Sequence, residues 1–153
     1  MKDKRKGFTL IELLAIIVIL AIIAVITVPL ILDVIEDSKK KAATDSAYGY
    51  KDAVNKYYMA KVLYEDDYNI PDGIYTVNET TGYLEGNEIL SIKISGKKSS
   101  SGTVEISQNE IKQGCLQFGD YAVSIINNEI SETKKSKCDG YEISDSATAE
   151  IQN

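Results

Sequence analysis

The sequence predicts an α+β chain: one long N-terminal helix, with a membrane-spanning front half and an amphipathic back half, packed on a small antiparallel β-sheet head. Three observations carry that reading. From Phe8 to Leu32, roughly 25 residues, the chain is apolar except for Thr9, Glu12, Thr27 and Pro29. Ala43, Ala47, Tyr50, Val54 and Tyr57 then recur at alternating spacings of four and three, one stripe of a helix. From about Ile74 the period changes to two, as in half-buried strands. The whole has 153 residues, enough for one domain with appendages.

Residues 1–7 are a short basic leader, with Lys2, Lys4, Arg5 and Lys6 against Asp3. The run over 8–32, as a helix rising ~1.5 Å per residue, reaches roughly 37 Å, enough to cross a hydrocarbon core of ~30 Å. A soluble-core helix would show a polar face. Basic residues flank both ends, since Lys39, Lys40 and Lys41 follow Asp33, Glu36 and Asp37, but the N-terminal cluster lies closer to the run. The positive-inside bias then puts the N-terminus in the cytoplasm and residues 33 onward outside. A cleaved secretory signal fits poorly, because the apolar core is too long and no small-residue cut site follows it. An uncleaved signal anchor is not excluded by length and charge.

The back half, residues 33–64, continues the helix to about residue 63, giving ~84 Å in all at ~1.5 Å per residue. Pro29 lacks a backbone donor and is expected to kink the front half. Gly49 costs about 1 kcal/mol in a helix interior, so a bend is expected there. Glu65-Asp66-Asp67 and the stretch from Asn69 to Gly73 end the element.

The head, residues 65–153, is expected to hold four or five antiparallel strands on the Ala43–Tyr57 stripe. Leu90, Ile92 and Ile94 alternate with polar residues, as do Val104 and Ile106, and the segment 96–102 between them reads as a hairpin loop. Gln117 to Ile126 reads as strand with a break at Gly119-Asp120, and Asn127-Asn128 marks a turn before Glu129-Ile130-Ser131. Residues 141–153 read as frayed. A head of about 90 residues buries a modest core and benefits from a staple. Outside the cytoplasm, the pair Cys115 and Cys138 reads as a disulfide closing a loop of about 24 residues, worth roughly 3 kcal/mol on the chain-entropy model. The alternative is two free thiols.

Charge and composition narrow the function classes. The chain carries −6 overall, and residues 1–7 contribute +3, so the remainder carries −9. An acidic exterior argues against direct nucleic-acid binding, and Lys97-Lys98 reads as a solvated turn. With no histidine, Ser-His-Asp and Cys-His nucleophile systems are absent, and two cysteines do not make a structural zinc site. No glycine-rich phosphate loop precedes a Lys-Ser/Thr pair. Neither a catalytic constellation nor a cofactor or metal site is expected; Glu65-Asp66-Asp67 is the one calcium candidate, without the rest of a ligand set. The ten tyrosines read as packing, with a sugar- or surface-binding patch as the alternative.

Lys6-Gly7-Phe8-Thr9-Leu10-Ile11-Glu12-Leu13-Leu14 closely resembles the prepilin signature of type IV pilins and pseudopilins. The resemblance covers residues 6 to about 32 and is only architectural beyond. It implies cleavage after Gly7 by a membrane prepilin peptidase, which also methylates the new N-terminal amine, on Phe8. It implies that Glu12 is the family's acidic register residue, and Pro29 matches a proline many members carry. A disulfide-bounded C-terminal region is likewise common among pilins, in keeping with Cys115 and Cys138. The implied partners are further copies in a helical filament, other pilins, the peptidase, an assembly platform with a cytoplasmic ATPase, and membrane lipid before assembly. The implied destination is the cell surface, by way of the cytoplasmic membrane. A pseudopilin of a secretion or DNA-uptake system, and a signal-anchored binding module that never polymerises, are the alternatives.

Physically, Glu12 is an acid at the start of an apolar run. A carboxylate in hydrocarbon is costly unless paired. Cutting after Gly7 creates a cationic amine four residues away. Its partner is either that amine in the same chain or the amine of a neighbour; the alternative is a capping glutamate that complements the helix dipole and has no assembly role. A dry salt bridge is geometrically demanding, which suits a register device.

Overall fold

A computed structural model describes residues 7–139, 141 and 143. Two compact units divide the chain, the first ending at Ser38 and the second beginning at Lys39. Helix α1, Leu10–Val62, belongs to both. It starts two residues later than the apolar run because Thr9 takes the N-cap position.

In the first unit the helix carries apolar residues on every side and is unbroken by Pro29. Pro29 cannot donate to the carbonyl of Val25. Thr27 Oγ1 turns back instead to the Ile23 carbonyl at 2.7 Å, hiding its hydroxyl on the helix itself.

In the second unit, one face of α1 is buried: Ala43, Ser46, Ala47, Gly49, Tyr50, Ala53 and Val54. This is the predicted stripe, with Tyr57 at its half-buried end. Small residues bring the chain close to the helix. A Cβ on Gly49 would lie 2.0 Å from the carbonyl oxygen of Ser95. Gly49 therefore serves close backbone approach inside a continuous helix.

The stripe packs on a single antiparallel sheet of seven strands: β1 Gly73–Val77, β2 Leu84–Glu85, β3 Ile89–Leu90, β4 Ser101–Ser107, β5 Glu110–Phe118, β6 Tyr121–Ile126 and β7 Glu129–Lys134. The spatial order is β3-β2-β1-β4-β5-β6-β7. Two hairpins turn on residue pairs with positive φ at both positions, Gln108-Asn109 (54° and 65°) and Asn127-Asn128 (52° and 62°). These are the backbone angles of the two-residue turn that matches strand twist. Between β5 and β6, Gly119 at φ 65° turns the chain. Tyr50, Tyr75, Leu84, Leu90, Ile106 and Leu116 are among the fully buried core side chains, and the Tyr50 ring meets Phe118 edge-on at 6.1 Å.

Two expectations are corrected. Seven strands form where four or five were expected, because β2 and β3 are only two residues long each. The expected hairpin across 96–102 does not form: β4 pairs with β1 and β5, and the Leu90–Ile94 strand stops at Leu90. The Ile92 N–H bonds to the Leu90 carbonyl at 2.8 Å, which turns the chain out of the sheet. It then crosses α1, where the Lys97 N–H donates to Ser46 Oγ at 3.1 Å and the Ser99 N–H to the Tyr50 hydroxyl at 2.9 Å. Ile92 and Ile94 alternate with polar residues because a loop lies on a helix, not because a strand lies in a sheet. The reading of 141–153 as frayed falls largely outside the described residues, but Tyr141 packs half-buried against Cys115 and Ala122.

Candidate functional site: the first helical turn and the apolar run

The chain enters the helix through Gly7, Phe8 and Thr9, none of them in a helix or strand. Gly7 has nothing within 4 Å of where a Cβ would stand, and Phe8 is 81 % exposed. The Gly7–Phe8 peptide thus lies ahead of the helix and makes no helical hydrogen bond among the described residues.

The first turn is closed by a capping box, Thr9-x-x-Glu12. The Thr9 N–H and the Thr9 hydroxyl each donate to Glu12 Oε2 at 2.8 Å, and the Glu12 N–H donates to Thr9 Oγ1 at 3.4 Å. The carboxylate also sits at the positive end of the helix dipole. Glu12 Oε1 accepts no hydrogen bond from the described residues. One oxygen of the acid is therefore used locally.

Beyond Glu12 comes the apolar run. Every Leu, Ile, Val and Phe from Phe8 to Ile35 is at least 44 % exposed. Leaving one such side chain in water instead of burying it costs about 1.5–3 kcal/mol. A helix with apolar residues all round needs a non-aqueous surround on all sides. The segment is long and apolar enough to cross a membrane.

The remaining predicted residues lie in the second unit. Cys115 and Cys138 are disulfide-bonded, with Cα atoms 5.7 Å apart. The bond ties the segment after β7 to β5. Gln117, which sequence reasoning did not single out, holds the same segment without covalent help. Its Nε2 donates to the carbonyls of Gly119 at 2.7 Å and Ser136 at 3.0 Å, and its Oε1 accepts the Cys138 N–H at 2.9 Å. The strand is thereby covered on the face away from the helix.

Glu65, in the calcium candidate, is bound by Lys61 at 2.9 Å, and no group of three or more acidic, Cys or His side chains among the described residues is placed to hold a metal. The tyrosines are dispersed: Tyr50 and Tyr75 are core, Tyr57 and Tyr68 lie under the Lys61 ammonium, and Tyr64 is exposed. Burial, with the Glu88 carboxylate beside it, pushes the Tyr68 phenol well above its usual range. The Tyr68 hydroxyl donates to Glu88.

Residues 2–28 match the family described as the prokaryotic N-terminal methylation motif. The chain therefore carries a prepilin-type signature, which supports a type IV pilin-like or pseudopilin protein. Comparison with curated proteins and with solved structures gives no match.

Proposed function

With the methylation signature as premise, we propose that the chain is a structural subunit of a type IV pilus-like filament. It enters the cytoplasmic membrane with its N-terminus inside and residues 8–32 spanning. A prepilin peptidase removes residues 1–7 and methylates the amine of Phe8. The span stays on the mature side of the cut, so the membrane stores processed subunits. Polymerisation then exchanges lipid for sister helices, with other pilins where the fibre is mixed. The platform and cytoplasmic ATPase supply the work, and the head faces outward on the cell surface.

One observation carries the reading: an apolar helix exposed all round opens with a single acid, directly beyond a Gly7–Phe8 peptide that lies ahead of the helix. In the fibre, Glu12 Oε1 accepts the cationic amine of a neighbouring Phe8 while Oε2 remains on Thr9. A half-made pair in a dry core is costly, so subunits out of register are rejected.

Mass spectrometry of the surface-extracted protein tests this. A terminus at methylated Phe8 is expected; an intact Met1 terminus refutes processing and favours a plain anchor. Sheared material labelled by antibody to the head reads polymerisation, and Glu12→Gln is expected to reduce filament yield at unchanged membrane level. Filaments as abundant and ordered as the parent's would refute the role of Glu12.

A further inference from the structure

Gln117 is a neutral side chain in a strand, yet both polar atoms of its amide are engaged by backbone groups. Nε2 donates to the carbonyls of Gly119 at 2.7 Å and Ser136 at 3.0 Å, and Oε1 accepts the Cys138 N–H at 2.9 Å. Two of these partners belong to the segment after β7, and one of them is the cysteine itself. Gln117 and Cys115 stand two residues apart in β5, so their side chains leave the same face of the strand. The segment that carries Cys138 is therefore gripped beside the sulfur it joins, by bonds that do not involve sulfur.

The grip is built on fixed backbone. Gln117 is 6 % exposed. Its N–H donates to Ser99 Oγ at 3.0 Å, and its carbonyl accepts the Ser100 N–H at 2.8 Å. The Ser99 N–H in turn donates to the hydroxyl of the core residue Tyr50 at 2.9 Å. The segment also arrives on a short tether. Lys134, the last residue of β7, pairs with Ala122 of β6, and Cys138 follows four residues later. A turn closed by the Ser136 N–H on the Lys134 carbonyl at 3.0 Å leads into it. Tyr141 then packs half-buried against Cys115 and Ala122.

These contacts bear on how the bond is made. Cys115 is fully buried and Cys138 half-buried, so Cys138 is the sulfur that an incoming reagent reaches. Its thiolate attacks one sulfur of an external disulfide and expels the other as a thiolate. The Cys115 thiolate then attacks Cys138 Sγ and displaces the reagent's remaining thiolate. Two thiols are oxidised, one external disulfide is reduced, and the two protons pass to the departing thiolates. The second step is intramolecular, so it is favoured by every contact that keeps Cys138 beside Cys115. In the finished bond the Cα atoms are 5.7 Å apart, and the Cys138 backbone that sets this distance is the group Gln117 holds. An unfolded loop must instead be closed against its chain entropy.

We propose that Gln117 is a positioning residue for closing the Cys115–Cys138 bond: the folded, reduced head already holds Cys138 against Cys115, and an external disulfide oxidant completes the bond on a finished sheet. Oxidation thus follows folding and locks a segment that is in place. All the groups involved lie in the second unit, so the outcome is independent of processing and polymerisation.

The test uses the full-length chain in detergent micelles, reduced in urea, returned to native buffer and equilibrated with mixtures of reduced and oxidised glutathione. Alkylation of free thiols followed by mass spectrometry gives the effective concentration of the thiol pair. Hydrogen exchange of the reduced form reads the segment. In the reduced parent, the β4–β6 amides and the Cys138 amide are expected to stay protected. If the β4–β6 amides exchange freely, the sheet needs the bond first and the proposal is overturned. If they are protected while Cys138 exchanges freely, the segment is not held, and the proposal is overturned as well. In Gln117→Leu, with the β4–β6 amides protected, the effective concentration is expected to fall at least about tenfold, since two hydrogen bonds to the segment are lost. In strong urea, where nothing holds the segment, parent and variant are expected to agree. A variant that is merely less stable keeps the parent's value while folded, so an equal value in native buffer overturns the proposal. A fall that persists undiminished in urea does so too. If Gln117→Leu does not fold, Gln117→Met, which keeps an unbranched stem and lacks the amide, is expected to show the same fall, and no fall overturns the proposal.

Discussion

Gly49→Ala separates two arguments that predict opposite signs. Helix propensity alone makes the substitution stabilising by about 1 kcal/mol, because alanine loses less backbone entropy in a helix interior. The packing makes it destabilising. The new Cβ would sit 2.0 Å from the Ser95 oxygen and 3.2 Å from its carbonyl carbon. Ordinary contact is ~3.5 Å, so the Ser95 peptide must withdraw by about 1.5 Å. It is not free to do so, since Lys97 and Ser99 a few residues on are bonded to Ser46 and Tyr50 of the same helix. Overpacking of this kind costs about 1–3 kcal/mol, and weakening one or two of those bonds adds about 1 kcal/mol each. Against the propensity gain, a net loss of about 2 kcal/mol is expected. Urea unfolding of the oxidised chain in detergent micelles reads it. With a slope of about 1–3 kcal/mol per molar, the midpoint falls by about 1 M. Hydrogen exchange should place the loosening at the Lys97 and Ser99 amides. A midpoint that rises, with those amides unchanged, refutes the close-approach account.

Gln117→Leu leaves the Cys138 N–H and the Gly119 and Ser136 carbonyls without their partner; a loss of about 2–3 kcal/mol is expected, with faster exchange at Cys138. The bonds of the Gln117 main chain to Ser99 are retained. Cys115→Ala/Cys138→Ala is expected to cost about 3 kcal/mol, read as a lower thermal midpoint than the oxidised parent. At alkaline pH, burial pushes the Tyr75 phenol up to about 12, helped by the nearby Glu88 and Asp72 carboxylates, and burial raises Tyr50 as well. The unfolded chain gives up these protons from about pH 10, before the folded one. Stability from these groups is therefore intact below about pH 10 and falls as pH rises toward 12. Urea midpoints across that range should drop; a flat profile refutes the linkage.

The elements that could be read from sequence were those with one physical cause. The Phe8–Leu32 run has only one way to satisfy its composition. The Ala43–Tyr57 stripe shows a single period, and the Asn127-Asn128 pair supplies the positive φ that its turn requires. The failures have competing causes. Leu90, Ile92 and Ile94 are spaced as in a strand, but a loop crossing a helix buries alternate side chains too. The first half of β5 was unread because Gly114 interrupts its alternation; that glycine lies where a Cβ would strike Val104 and the Thr103 carbonyl of the paired strand. At the candidate site, Glu12 was legible as an acid in an apolar run. Its local partner was also written in the Thr-x-x-Glu spacing, which is a helix-start signal in its own right. Gln117 carried no such signal, since a lone glutamine in a strand is ordinary and its three partners are backbone groups remote in sequence.

The bonds that organise the first turn join Thr9 and Glu12, both downstream of the Gly7–Phe8 peptide. Removing residues 1–7 therefore deletes none of them. On the proposed processing, a new charge would arrive beside a turn whose bonds are already made.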